Sequence, residues 1–306
     1  MLNVHRMRIL REVAARGSIA AAAASLYMTP SAVSQHMAAL ERESGVALLE
    51  HRGRGVRLTP AGERLVMHTE RILSVLEEAQ ADIADISHGI AGRLRICAFP
   101  TAARALLAPA LALIRERHPR IELLMNDLEP EDSIPLLKVG EMDLVVTYEF
   151  DHLPEPDDPG VERHALMSEP VYLALPASHP LASSDVAVRD LRYDEWIVGR
   201  DGSPFMEATR TVCHEAGFEP RVNLQGNDYQ VILACVGQGL GVALVPPLAL
   251  FAENPDVVLK QPIDLTITRR EMALIRRGSG ANPTIAAALE ALNDVVKKLP
   301  QRGPTT

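Results

Sequence analysis

The stretch from Ser18 to Thr59 constrains this chain more than any other. Ser18 is a suitable N-cap, and Ala20 to Ala24 behind it predict a small, closely packing helix that runs to about Leu26. Tyr27 and Met28 are expected to form a turn. Thr29 then caps a second helix with Pro30 at its first position, where the missing N–H does no harm. Val33, Met37 and Leu40 follow the i, i+4, i+7 rule and face inward, which leaves Ser31, Ser34, Gln35 and Arg42 on the outer face. Two short helices around a tight turn, the second with small polar donors near its start, suit insertion into a DNA major groove.

The alternative is a pair of helices in an ordinary bundle, where outward Ser and Gln are merely solvated. The residues after the second helix weigh against it. Leu48 and Leu49 anchor a turn, and Arg52-Gly53-Arg54-Gly55-Val56-Arg57-Leu58 predicts a glycine-spaced basic hairpin, a wing. Thr59-Pro60 then caps another helix. Arg52, Arg54 and Arg57 would meet phosphates where a duplex backbone passes the helix pair. Charge divides along the same line. Residues 1–58 hold eight arginines and no lysine against four glutamates, a net +4, so the rest of the chain carries −13 of the overall −9. A basic head on an acidic body fits a DNA reader whose larger part stays off the DNA.

With 306 residues the chain has room for one small and one large domain. No run approaches the roughly 20 apolar residues of a membrane span. Ile19 to Leu26 imitates a signal-peptide core only faintly, so a cytoplasmic location with no membrane partner is expected. Cys97, Cys213 and Cys235 are too few and too scattered for a disulfide framework, and Cys97 and Cys235 sit in apolar runs that favour inert thiols. The ten histidines show no metal-ligand spacing, so neither metal nor cofactor is expected.

From Thr59 to about His88 a single long helix is predicted. Leu65, Thr69, Ile72, Leu76, Ala79, Ile83 and Ile86 repeat at alternating spacings of 4 and 3, the seam of a coiled coil. Leu65, Ile72, Leu76 and Ile83 are the dimerisation candidates, which implies a homodimer on a two-fold-symmetric operator. Gly89 to Gly92 breaks the helix. Beyond it strands and helices alternate: strands at 94–99, 121–125, 143–148, 171–175, 196–198, 221–224, 242–245, 257–260 and 266–275, with helices at 101–118, 134–139, 203–216, 228–238 and 283–298. The acidic, proline-rich segment 154–160 is expected as a surface loop, and the last residues as a disordered tail. This pattern implies two α/β lobes joined by two crossovers. The divisions are 1–58 for the winged helix-turn-helix, 59–89 for the linker helix, and 92–306 for the α/β domain. Its first lobe covers about 92–164 and 268–300, and its second about 165–267.

Gly237-Gln238-Gly239-Leu240-Gly241 lacks the third glycine of a dinucleotide fingerprint and stands between helix and strand in the wrong order, so the glycines more plainly end a helix. Glu129, Glu131 and Asp132 read as a solvated acidic loop rather than paired catalytic carboxylates. With no nucleophile elbow or P-loop either, the chain is not expected to be an enzyme. Effector contacts are expected where strand ends meet helix N-termini, at Thr101 and Ser203, at Asn227 in Gly226-Asn227-Asp228, and at the strand end Thr147. Such a site favours a small anionic metabolite such as a carboxylate, with Asp228 arguing against a strongly anionic one. Plain helix capping is the competing explanation for Thr101 and Ser203.

The chain resembles the LysR-type transcriptional regulators. The resemblance rests on Gly17-Ser18, Ala21-Ala22, the run from Thr29 to His36, Leu40-Glu41, Gly45, Arg54, Val56 and Leu58 to Gly62. Further along it rests on Leu175-Pro176, His179 to Ala182, Gly239 to Gly241 and Leu244 to Pro246. It implies a winged helix-turn-helix and a two-lobed periplasmic-binding-protein-like effector domain of type 2. It also implies double-stranded DNA and a small-molecule effector as partners, a homotetramer built from dimers, and RNA polymerase as a further candidate contact. Ser18, Thr29, Pro30, Ser31, Ser34, Gln35, Arg52, Arg54 and Arg57 are the implied DNA-binding residues. Two positions depart from the family: Leu49 stands where an aromatic is usual, and His51 where a wing arginine is usual. An architectural DNA binder without a ligand, or an α/β enzyme fused to a DNA reader, are the alternatives. The first leaves a large two-lobed domain without a purpose, and the second predicts turnover of a metabolite. A periplasmic solute-binding protein would need an export signal.

Overall fold

The computed structural model describes the chain except for residues 27, 53–54, 89, 152, 154–157, 159, 252–253 and 300–306, and without the side chains of 51–52, 74, 77–78 and 80–88. Three helices open the fold, α1 (Val4–Arg16), α2 (Ile19–Ser25) and α3 (Pro30–Ser44). Ser18 and Thr29 cap α2 and α3 as their sequence positions imply, accepting from Ala21 N at 3.1 Å and Ala32 N at 3.2 Å. Val33, Met37 and Leu40 are buried against Met7, Leu10 and Val13 of α1 and Ala22 and Ala23 of α2. Gly45 ends α3 in the left-handed region, at φ 73°.

The wing is β1 (Leu49–Arg52) paired antiparallel with β2 (Gly55–Leu58), from Leu49↔Leu58 to Arg52↔Gly55. Its tip, including Arg54, lies outside the described residues. The helix α4 (Pro60–His88) follows at once. Gly62 is required at that junction, because a Cβ there would come within 2.2 Å of the Leu48 carbonyl oxygen.

The expected seam along α4 divides in the structure. Leu65 is half-buried against the core of the N-terminal helices and Thr69 is fully buried, its hydroxyl donating to the Leu65 carbonyl at 2.7 Å. These two positions therefore pack within the chain itself. Ile72 and Leu76 are exposed, together with Met67 and Val75, and the Ile83 side chain lies outside the described residues.

Beyond α4 the first lobe is built on a five-stranded sheet in the order β4-β3-β5-β12-β6. Its strands are β3 (Ala91–Ala98), β4 (Arg120–Asp127), β5 (Leu144–Phe150), β6 (Val161–Pro170) and β12 (Thr268–Arg276). β3 runs parallel to β4 and β5, whereas β12 is antiparallel to β5 and β6. The helix after β3 is one rod in three parts: α5 (Pro100–Ala102), a π-helical turn (Ala103–Leu107) and α6 (Ala108–Arg117). The second helix of this lobe is α7 (Pro130–Lys138) and the last is α10 (Pro283–Val296). β6 is not expected from the sequence pattern, which implies a loop up to residue 160 and the next strand at 171. Polar Glu162, Arg163 and His164 are followed by the apolar run of Ala165, Leu166 and Met167, none of it fully buried, so β6 shows no clear apolar alternation.

The second lobe has a three-stranded sheet, β10 (Ala243–Val245), β7 (Tyr172–Pro176) and β11 (Val257–Lys260), and a parallel pair, β8 (Glu195–Val198) with β9 (Arg221–Gln225). Helices α8 (Pro204–Glu215) and α9 (Tyr229–Gly237) cover them, with the buried Trp196 at the centre. The chain crosses between lobes twice, side by side: Val171 N donates to Ile267 O at 2.9 Å, and Arg269 pairs with Glu169 in the ladder. Among the described residues no helix is long and apolar enough to cross a membrane.

Candidate DNA interface and effector cleft

On α3 the burial of Val33, Met37 and Leu40 fixes the rotation of the helix, and Ser31, Ser34 and Gln35 are consequently exposed along one face. Ser34 donates to the Pro30 carbonyl at 2.9 Å and must turn away to meet a base. Gln35 carries an amide of the kind that pairs bidentately with adenine. The wing is held to this helix by Glu41, whose Oε1 accepts from Leu48 N at 2.8 Å and Leu49 N at 3.2 Å. It is held to α1 by Val56 N donating to Gly17 O at 3.2 Å. Arg57 is exposed on β2. The side chains of His51, Arg52 and Arg54 lie outside the described residues.

The reading head also touches the first lobe. Arg16 Nη2 lies 2.9 Å from Glu141 Oε1, while its Nε holds Glu12, which in turn accepts from the Ser25 hydroxyl at 2.6 Å. Glu70 of α4 sits between Arg11 Nε at 3.7 Å and Arg276 Nε at 3.8 Å. Arg276 donates to the Met142 carbonyl and lies 3.4 Å from Asp143, which also binds Arg95.

Between the lobes lies a cavity of only about 10 Å³, room for one water. Phe99, Thr101, Glu129 and Tyr148 face it from the first lobe, and Phe205, Asn227 and Tyr229 from the second. Phe99 and Tyr148 meet edge to face with centroids 4.6 Å apart, and Phe205 lies against Tyr229 at 5.2 Å. Under these rings is Arg269, fully buried, with its Cζ 5.1 Å from the centroids of both Phe99 and Tyr148. Its Nη2 reaches Glu169 Oε1 at 2.5 Å and Thr101 Oγ1 at 3.5 Å, and its Nε reaches Glu271 Oε1 at 2.8 Å. Glu169 uses its other oxygen to accept from Leu248 N of the second lobe at 2.8 Å.

Burial raises the Glu271 carboxyl far above the carboxylate range, and the adjacent Glu169 carboxylate adds to the effect. Arg269 is paired with both Glu169 and Glu271. Removing it would leave buried acid without its cation, at a cost of about 3–5 kcal/mol. Glu129 is pushed up to about 7, by its burial first and by Glu131 second.

The residues proposed from sequence divide at this cleft. Thr101 and Asn227 line it. Asn227 Oδ1 already accepts from Arg200 N at 3.0 Å. Ser203 is buried as the N-cap of α8, its Oγ taken by Met206 N at 3.2 Å, and it is not among the lining residues. Thr147 faces away: on β5 it alternates with Val146 and Tyr148, and only Tyr148 turns to the cleft. The reading of 129–132 as solvated holds for Glu131 and Asp132, which are exposed, but not for Glu129. Cys97 and Cys213 are buried, which pushes their thiols up to about 11 and about 12. Among the described residues no cluster of side chains could hold a metal ion.

A winged helix-turn-helix joined through one long helix to two lobes that enclose a polar cavity defines a DNA-binding regulator of the ligand-responsive kind. The chain belongs to the LysR family: residues 4–63 match the profile of the bacterial regulatory helix-turn-helix proteins of that family, and residues 87–297 match the LysR substrate binding domain. It is thus a DNA-binding transcriptional regulator with an effector-binding domain, and not an enzyme. It is 29% identical to the transcriptional dual regulator GltC of Bacillus subtilis over 90% of this chain and 91% of that protein. Against the regulator ShiR of Corynebacterium glutamicum identity is 32%, covering 73% of this chain and 75% of the other. Among solved structures, a full-length OxyR variant from Pseudomonas aeruginosa superposes with a TM-score of 0.72 at 20% identity, covering 99% of both chains. CbnR in complex with its target DNA gives 0.55 at 23% identity, over 96% of this chain and all of that one.

Proposed function

We propose that this regulator reads its operator with Ser31, Ser34 and Gln35 of α3, positioned by Ser18, Thr29 and Pro30, while Arg52, Arg54 and Arg57 of the wing meet phosphates. The observation that carries the reading is the exposed polar face of α3 directly above a fully apolar inner row. Small-molecule control acts through the cleft, where Thr101 and Asn227 contact the effector, with Tyr148, Tyr229 and Glu129 as further contacts that the sequence pattern does not reveal. Dimerisation uses the exposed Ile72 and Leu76 on α4, continued by Ile83. The regulator works in the cytoplasm, on genomic DNA. DNA binding by the CbnR chain, at low identity, is consistent with this use of the fold.

The test compares operator with random DNA. Gln35→Ala is expected to erode the preference between them by about 1–3 kcal/mol. Arg57→Ala should weaken both alike and lower the salt slope by about one. Equal loss on both DNAs in the Gln35 variant would remove Gln35 from base readout.

A further inference from the structure

Beside the hinge lies a second cavity, of about 1030 Å³, which shares no lining residue with the cleft. That volume lies just above the usual range for small-molecule sites, roughly 300–1,000 Å³. Its apolar wall includes Met167 of β6, Leu248 and Phe251 of the second lobe, and Leu299 beyond α10. Its charged corner is Arg104, whose Cζ sits 3.7 Å from the Phe251 ring centroid, so that a cation of the first lobe is stacked on an aromatic of the second. A second cation, Lys297, stands at the rim, although its Nζ lies 3.6 Å from Asp294. The one acid in the lining, Glu169, is already committed to Arg269 and to the Leu248 amide.

Two features set this cavity apart from a surface dent. Arg104 and Ala105 stand in the π-helical turn, a rare local irregularity frequently found at functional sites. The same rod begins with Thr101 in the cleft, and Glu169 and Pro170 of the hinge form part of the new cavity's wall. The site therefore sits where the two lobes are joined.

We infer that this cavity is a second ligand site, taking an amphipathic organic anion whose carboxylate or sulfonate meets Arg104 while its apolar body lies along Met167, Leu248 and Phe251. The inference does not depend on what the cleft binds.

The test uses two dyes of similar size, anionic 8-anilinonaphthalene-1-sulfonate and its neutral relative N-phenyl-1-naphthylamine, with decanoate as competitor. The full-length protein should bind the anionic dye saturably at one site and release it to decanoate. Losing a charge-assisted contact in Arg104→Gln should weaken the anionic dye and decanoate by about tenfold, and leave the neutral dye within about twofold. Met167→Trp, which puts an indole into the space the apolar body would occupy, should weaken both dyes. Ala105→Trp intrudes on the same space from another lining position and guards against a variant that misfolds, with circular dichroism confirming the fold. Unchanged anionic-dye affinity in Arg104→Gln, or undiminished dye binding in both folded tryptophan variants, would overturn the assignment.

Discussion

Glu129 offers a measurable consequence of burial at the cleft. Its carboxyl is raised from 4.5 to about 7 in the folded protein. In the unfolded chain it titrates at the lower value. Below about pH 4.5 it is protonated in both states and makes no difference to stability. As pH rises the unfolded chain ionises first, so the folded state loses ground until the group is ionised in both, above about pH 7. At 1.36 kcal/mol per pK unit, the accumulated penalty at pH 8 is about 3 kcal/mol. Glu129→Gln keeps the shape and removes the titration. The variant should therefore match wild type in urea unfolding near pH 4.5 and exceed it by up to about 3 kcal/mol at pH 8, most of the difference developing between pH 5 and 7. Taking the difference between the two proteins cancels the other groups that titrate in this range. A difference that stays constant from pH 4.5 to 8 would refute the reasoning, since it would mean that the carboxyl is as well solvated in the folded protein as in the unfolded chain.

Leu76→Asp puts a charge on the exposed apolar stripe of α4 and should yield a monomer by light scattering, with weakened operator binding; a variant that still dimerises places the main interface elsewhere. Gly62→Ala forces a methyl group against the Leu48 carbonyl and should destabilise the winged domain by about 2 kcal/mol or more, read as a lower melting temperature with the α/β lobes intact. A double-mutant cycle of Arg16→Ala and Glu141→Ala should show coupling in thermal unfolding of about 0.5 kcal/mol, as expected for a half-exposed ion pair, and none if the reading head stands clear of the lobe in solution.

The parts of the fold written locally are readable from the chain. Ser18, Thr29 and Pro30 act on residues within one turn, so the two helices of the motif come directly from their caps. What escapes is non-local. Arg269 sits in an unremarkable run of charged residues, and its importance comes from Glu169 and Thr101, which lie 100 and 168 positions away. Glu129 faces the cleft beside Tyr148, whereas Glu131, two residues on in α7, is exposed. The heptad on α4 is legible as a period, but periodicity does not say which neighbour each apolar face meets: Leu65 and Thr69 meet their own domain. Thr147 misses the cleft by one residue of strand alternation, and Tyr148 faces it instead.

The paired strands β5 and β12 have one end in the cleft, at Tyr148 and Arg269, and the other beneath the reading head, at Asp143 and Arg276. Seven to nine residues at about 3.3 Å each make a stiff beam of roughly 25 Å. If lobe closure tilts this beam by about 5° about its cleft end, its far end swings by about 2 Å. That displacement is comparable to the 2.9 Å separating Arg16 from Glu141, so a tilt of that size would be felt at the contact between the lobe and the N-terminal helices. Strand length would then set how far a small rotation at the cleft carries.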